Sequence, residues 1–406
     1  MFASKFAPIA ISKAVKRFMG TGNELKTALF PLHEQAGGKM VPFAGYILPV
    51  QFEGAGVLKE HEHTRTKAGL FDVSHMGQIH WYGKDAATFL EKLVVSDIKG
   101  LRAGEATLSL IMQEDGGIVD DTIITNAGDY IYMVVNGACK WKDMDHFKKY
   151  LAENKNLDVK MEYQADAELV ALQGPEAKNV MSNLLPKVNF TNMNFMSSTL
   201  VNVPGIPTPC RVTRCGYTGE DGFEISCHKD HVTAFVQMLL DNPAVKPAGL
   251  GCRDSLRLEA GLCLYGNDID EKTNPVEASL LWTMGGPKGR RRVEQGFLGA
   301  SHFLEKTGRP KPMARKRVGI AGMSAPARGH TEMYSADGSQ KIGEITSGGF
   351  GPSYGKAMSM GYVSTANSAD GSKVSLKIRG KMLPAEVTKM PFVATNYYRA
   401  PESKYF

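Results

Sequence analysis

The chain has 406 residues, 43% of them hydrophobic and 22% charged, with a formal net charge of +6. That length gives room for two or three separate cores, and no apolar run reaches the roughly 18 residues of a membrane span. Acidic and basic residues are interleaved, which argues against nucleic acid as a partner, and the cysteines (Cys139, Cys210, Cys215, Cys227, Cys252, Cys263) show no CxxC pair and no zinc-like spacing with histidine, so they read as reduced thiols.

The first 23 residues carry Lys5, Lys13, Lys16 and Arg17, several Ala and Ser, and no acid before Glu24. A basic, acid-free stretch with apolar residues at partly helical spacing has the composition of an organelle transit peptide. Further on, His61 and His63 flank Glu62, but a spacing of two on a helix turns them to nearly opposite sides, which argues against a shared metal ion. Residues 86–93 read as a short helix, followed by strands at 107–113, 121–125 and 130–136.

Leading into the second of these strands stands Gly116-Gly117-Ile118-Val119-Asp120-Asp121-Thr122-Ile123-Ile124, which reads as a buried strand directly after a glycine turn. Successive side chains on a strand point to opposite faces, so alternation puts Ile118, Asp120 and Thr122 on one face and Val119, Asp121 and Ile123 on the other. Each face then holds one acid among apolar neighbours. A buried carboxylate costs several kcal/mol unless it is paired or hydrogen-bonded, so at least one of the two needs a partner. Alternation alone does not say which one serves a function.

A helix over 143–153 has its apolar residues in one stripe, and residues 168–172 form a strand that runs through Gln173-Gly174-Pro175 into another helix. Strands at 212–217 and 223–227 flank Thr218-Gly219-Glu220-Asp221-Gly222 and read as a hairpin, with helices following at 230–240 and 250–261. The basic stretch from Lys288-Gly289-Arg290-Arg291-Arg292 to Arg315-Lys316-Arg317 reads either as a solvated linker or as a contact for an anionic partner. From Val318 onward, short strands separated by turns such as Asp337-Gly338 and Asp370-Gly371 imply a small β-barrel or sandwich. The Gly349-to-Lys356 segment is not a phosphate loop, because Phe350 replaces its first glycine and Ala357 its Ser or Thr.

Several long strings together resemble the glycine-cleavage T-protein family: GGKMVPFAG from Gly37, FDVSHM from Phe71, GGIVDD from Gly116, TRCGYTGEDGFEIS from Thr213, LGCRDSLRLEAGLCLYGNDID from Leu250 and KMPFVATNYY from Lys389. They are dispersed in order over residues 25–399. The resemblance implies an α+β fold of three domains in a clover-leaf around a central folate channel. The expected division is a leader over 1–23, a discontinuous folate-binding domain over 24–160 and 240–285, and an α+β domain over 161–239. A basic linker over 286–315 and a C-terminal β-barrel over 316–406 complete it.

The implied reaction takes an aminomethyl group from the dihydrolipoyl arm of the glycine-cleavage H protein. Its one-carbon unit passes to tetrahydrofolate as acceptor substrate, giving methylenetetrahydrofolate and ammonia in the mitochondrial matrix, with no metal, no nucleic acid and no membrane insertion. The family's folate-facing acid falls on Asp121, its pterin-binding acid on Glu224, and two further ligand positions on Arg253 and Tyr397; Met76 and Asn136 are expected to line the same channel. Tyr46 stands where many relatives have Trp. The folate-dependent proteins that assist iron–sulfur assembly differ at the hairpin, where this chain reads Cys215-Gly216-Tyr217-Thr218-Gly219-Glu220, and the dimethylglycine and sarcosine oxidases carry a dinucleotide fingerprint that is missing here.

Overall fold

The computed structural model describes residues 22–400. The expected leader therefore lies outside the described residues, apart from its last two. The strands fall into a two-stranded hairpin, a five-stranded sheet, a six-stranded sheet and a closed six-stranded barrel.

The five-stranded sheet runs Ala106–Met112, Ile118–Asn126, Ile131–Val135, Gly77–Tyr82 and Lys160–Tyr163, with every pairing antiparallel. The helices Ala86–Leu93 and Lys140–Glu153 cover one face over a core that includes Trp81, Phe89 and Phe147. Lys140–Glu153 buries Lys140, Asp143, Met144, Phe147 and Tyr150, the spacing of a single helical stripe, so Asp143 is drawn under the helix with its apolar neighbours. Just before the Ile118–Asn126 strand, Gly116 has φ +87°, and a Cβ on Gly117 would meet the Glu271 carbonyl oxygen at 2.0 Å. Both glycines are thus required by the backbone.

The six-stranded sheet runs Ser197–Val201, Cys210–Arg214, Gly222–His228, Ala167–Gln173, Ala68–Asp72 and Val245–Pro247. Its strands Ala68–Asp72 and Val245–Pro247 come from segments expected in the first domain, so the expected cuts at 160/161 and 239/240 run through this sheet. Strand partnership is a long-range choice that composition does not mark. Phe71, Leu169 and Ala171 of this sheet, with Val73 just after it, meet Tyr132 and Val134 of the other, with Cys252 and Leu256 sealing the contact.

The barrel is closed by Arg315–Ala321, Glu332–Ser335, Lys341–Gly351, Lys356–Ser364, Lys373–Ile378 and Lys381–Thr388, around Met333, Ile345, Val363 and Leu376. Both Asp-Gly pairs fall in turns between its strands. After Thr388 the chain leaves the barrel and returns to the six-stranded sheet region, where the Asn396 amide donates to the Gly219 carbonyl at 2.8 Å and Phe195 N–H to the Tyr398 carbonyl at 3.0 Å.

The helix Leu250–Glu259 joins these parts. Arg257 donates to Asp268 at 2.8 Å and to Ser347 of the barrel at 3.1 Å. Glu259, fully buried, accepts from Arg65 at 2.9 Å and from the amides of Ser353 and Tyr354 at 2.7 and 3.1 Å, and lies 3.2 Å from His61. Arg65 also holds Glu220 at 2.9 Å, whose other oxygen accepts from Asn396 of the returning tail. His61 and His63 diverge as helical spacing requires, His63 turning to the Ala244 carbonyl at 2.9 Å.

In the basic stretch Lys288, Lys306, Arg309 and Lys316 are exposed, whereas five arginines are engaged within the fold. Arg291 is 3% exposed and donates to the carbonyls of Glu91, Val94 and Gln295, while Arg292 donates to the Gly308 carbonyl. Arg290 pairs with Glu91, Asp97 and Glu294, Arg315 with Glu277, and Arg317 reaches the carbonyls of Ala278 and Gly261. These guanidiniums pin an irregular segment whose carbonyls lack a ladder, a use of arginine that a charge count does not separate from solvation.

Two stability predictions follow from these contacts. Burial alone would push the Glu259 carboxyl up, but His61, the Tyr354 amide and Arg65 hold it down, from an ordinary 4.5 to about 2. Its contribution is present in full above pH 4.5 and lost as pH falls toward 2, and it amounts to about 3 kcal/mol by linkage. Urea unfolding of Glu259→Gln should show lower stability than wild type at neutral pH, with the difference narrowing through that acid window; a constant difference would refute the assignment. Arg291→Glu would bury an unpaired charge against carbonyl oxygens and should lose about 3–5 kcal/mol, read as a fall in the urea midpoint, whereas an exposed arginine would tolerate the change.

Candidate functional site

Between the two sheets, the helix Leu250–Glu259, the barrel and the returning tail lies a cavity of about 2170 Å³. Asp121, Asn136, Met76, Glu224, Arg253 and Tyr397 all contribute to its wall. Six positions spread over more than 300 residues of sequence therefore converge on one space.

Asp121 reaches the wall through an irregularity in its strand. Ile111 pairs with Asp120 and Met112 with Ile118, so Val119 is an extra residue opposite the neighbouring strand, a β-bulge. Val119 accordingly turns into the core beneath the helix Lys140–Glu153, while Asp121 and Ile123 face the cavity. Strict alternation had placed Val119 with Asp121; the bulge separates them, because an inserted residue resets which face follows.

Asn136 follows the end of the strand Ile131–Val135 and ties the two acids together. Its backbone N–H donates to Asp120 Oδ2 at 2.9 Å. Its side-chain amide donates to Asp120 Oδ1 at 2.8 Å and to Asp121 Oδ1 at 2.9 Å, with the Asp121 carbonyl at 3.2 Å. Asp120 is fully buried, so its charge is poorly screened. Burial, with the Asp120 charge adding to it, pushes the Asp121 carboxyl up to about 7. Asp121 thus sits where it exchanges a proton near neutral pH, the range that suits a general acid or base.

Glu224 lies on the strand Gly222–His228, with the Cys215 thiol beside it; burial, and then the Glu224 charge, push that thiol up. Arg253 projects from the first turn of Leu250–Glu259, its guanidinium carbon 4.9 Å from the Tyr217 ring centroid. Its Nη1 is buried and has no hydrogen-bond partner among the described residues. An unpaired guanidinium donor on a cavity wall fits an anionic or carbonyl group of a ligand.

Tyr397 arrives on the returning tail and stacks on Phe195, centroids 4.0 Å apart and planes 17° from parallel. Burial raises its hydroxyl to about 12, so the ring stays neutral. Met76 packs against the inter-sheet core. These residues therefore bring to the wall flat aromatic faces, the Glu224 carboxyl, the unpartnered Arg253 Nη1 and the raised Asp121 carboxyl.

Sequence reasoning missed several residues of this neighbourhood. Tyr217 lines the cavity and donates from its hydroxyl to the Cys263 carbonyl, fixing the ring under Arg253. Phe195 sits in an irregular stretch with no pattern to mark it. Behind Asp120 lie Cys139 and Asp143. For Asp143 a signal did exist: an acid at a core position of an apolar helical stripe.

Residues 29–288 match the family described as the GCVT N-terminal domain, and residues 315–394 the glycine cleavage T-protein C-terminal barrel domain. The chain is 46% identical over 401 residues to an aminomethyltransferase, mitochondrial, from Dictyostelium discoideum, covering 95% of this chain and 97% of the relative. It is 48% identical over 377 residues to the one from Gallus gallus, covering 92% and 94%. The crystal structure of glycine cleavage system aminomethyltransferase T from Bartonella henselae superposes with a TM-score of 0.83 at 36% identity, covering 92% of this chain and 99% of that one.

Proposed function

The chain belongs to the glycine cleavage T-protein family and is a mitochondrial aminomethyltransferase of that system; from this premise we propose that Asp121 is its catalytic acid–base group and that Glu224, Arg253, Tyr397, Met76 and Asn136 hold tetrahydrofolate. The partner in this reading is the lipoylated H protein, whose aminomethyl group enters the same cavity. What supports it most is one observation: the buried Asp121 carboxyl, beside the Asp120 charge, and an unpartnered Arg253 donor stand on the wall of one large cavity.

The residues present fit a folate. A pterin ring is flat, with an amide-and-amine edge that donates two parallel hydrogen bonds, and Glu224 supplies a carboxylate that only accepts. The unpaired Nη1 of Arg253 suits a carbonyl or carboxylate oxygen of the same molecule. The Tyr397–Phe195 stack and the Tyr217 ring add apolar faces for an aromatic body.

Tetrahydrofolate supplies the nucleophilic amine that takes up the one-carbon unit. When a folate amine attacks the methylene carbon, the C–S bond to the lipoyl arm breaks, its sulfur leaves as the thiolate and the amine gains positive charge. Loss of ammonia then leaves an iminium-like cation, which the second folate nitrogen closes to the methylene bridge. The ionised Asp121 carboxylate stabilises that charge in a site of low polarity and accepts the proton the amine must shed. Asn136, donating to both acids, fixes the direction of the Asp121 carboxylate. Its raised affinity for protons makes it a better base than an exposed aspartate while leaving it about half ionised near neutrality.

With Asp121 active as the anion, kcat/KM should rise with pH through a midpoint near 7, the free-enzyme value. Asp121→Asn keeps the size but removes charge and basicity, and should lower turnover by about 10²–10⁴-fold and abolish that midpoint. The measurement is ammonia release and methylenetetrahydrofolate formation with aminomethylated H protein; near-normal turnover of a folded variant would end this reading. Glu224→Ala should weaken tetrahydrofolate binding by about 10–100-fold, the loss of a charge-assisted hydrogen bond, as read by calorimetric titration, and unchanged affinity would rule out a direct contact.

A further inference from the structure

Behind Asp120, away from the cavity, the helix Lys140–Glu153 buries Asp143 completely. Neither of its carboxyl oxygens meets an N–H or O–H donor among the described residues. Its close neighbour is the Asp120 carboxyl, which already accepts two N–H bonds from Asn136. Two facing carboxylates without a proton between them would repel in a medium that screens little. One of the pair must be protonated. Asp120 is stabilised as an anion by two N–H donors and Asp143 by none, so the proton belongs on Asp143.

We propose that Asp143 is a positioning residue whose protonated carboxyl donates to Asp120, keeping Asp120 an anion aligned on Asn136 and thereby setting the basicity of Asp121. The proposal rests on the reading of Asp121 as the acid–base group. Asp143 is pushed up to about 11 by burial and then by the Asp120 charge, in agreement with the geometry.

The surrounding groups leave the proton no other place. On the same helix Lys142 points elsewhere, donating to Tyr265 and Glu271 at 2.8 Å each. The Cys139 thiol, raised by burial and by Asp120, stays protonated and is a second weak donor to Asp120. Tyr265, from the loop that also carries Glu271, is raised by burial and neighbouring acids and stays neutral. Asp121, on the same strand as Asp120, is linked to it through the Asn136 amide. The chain of contacts therefore runs from Asp143 to Asp120 to Asn136 to Asp121, with one fixed proton at its inner end.

Two variants and two readouts test this. Asp143→Asn retains shape and an N–H donor, so kcat/KM should stay within about twofold of wild type with its acid midpoint unchanged. Asp143→Leu has no donor: Asp120 then takes up a proton, its charge no longer raises Asp121, and the acid midpoint of kcat/KM should fall by about one unit with about tenfold lower kcat. Infrared spectra at about pH 9, above the Asp121 midpoint, should show the carbonyl stretch of a protonated carboxylic acid in wild type and in Asp121→Asn, and lose it in Asp143→Asn. A band that survives in Asp143→Asn, or an acid midpoint unmoved in folded Asp143→Leu, overturns the proposal. Failure of the Asp121 reading would show separately, as turnover surviving in Asp121→Asn while the infrared assignment stands.

Discussion

The ion-pair node at Glu259 is the constraint on which the rest of this structure depends. One fully buried carboxylate is held by Arg65 and His61 from an N-terminal helix and by two amides of a barrel loop, and Arg65 carries the connection on to Glu220 and the returning tail. Removing one partner of such a node leaves a charge unpaired in a dry place, which costs more than the pairing gains. The arrangement is therefore specific, not merely adhesive. It fixes where the helix Leu250–Glu259 lies, and so where Arg253 and the walls around it stand.

That fixed frame explains how a cavity of about 2170 Å³ persists inside a packed protein. Interiors collapse around voids unless the surrounding elements are held apart by contacts made elsewhere. Here the sheets meet through Phe71, Leu169, Tyr132 and Val134 on one side, and the barrel is pinned by Arg257 and Glu259 on the other. The cavity is what remains between. Its wall mixes apolar faces with charged and polar groups, among them Asp121, Glu224 and Arg253.

Much of this was legible in the chain. The helix 86–93, the strands about the acid pair, the 168–172 strand, the hairpin partners and the short strands of the C-terminal part follow from periodicity and turn chemistry, which act over a few residues and left barrel and sandwich open. Five of the six cavity residues lie in the family strings and Asn136 came with the resemblance as a whole, since nothing local distinguishes Glu224 or Tyr397 from an exposed strand acid or a packing aromatic. What local reasoning did not reach were long-range partners: Arg291 donates to the Glu91 and Val94 carbonyls some 200 residues away, and Ala68–Asp72 pairs with Ala167–Gln173, across the expected cut at 160/161.

The acid pair shows where the division falls. The sequence by itself determined that Asp120 and Asp121 share a strand, that two glycines precede them, and that regular alternation sends the two acids to opposite faces. Only the tertiary structure decided the rest: a bulge at Val119 sets which acid meets the cavity, Asn136 from the neighbouring strand joins the two, and Asp143 from a packed helix stands behind. The reason is electrostatic. A carboxyl's proton affinity depends on burial and on charges within a few ångströms, and those neighbours come from segments that only folding brings together.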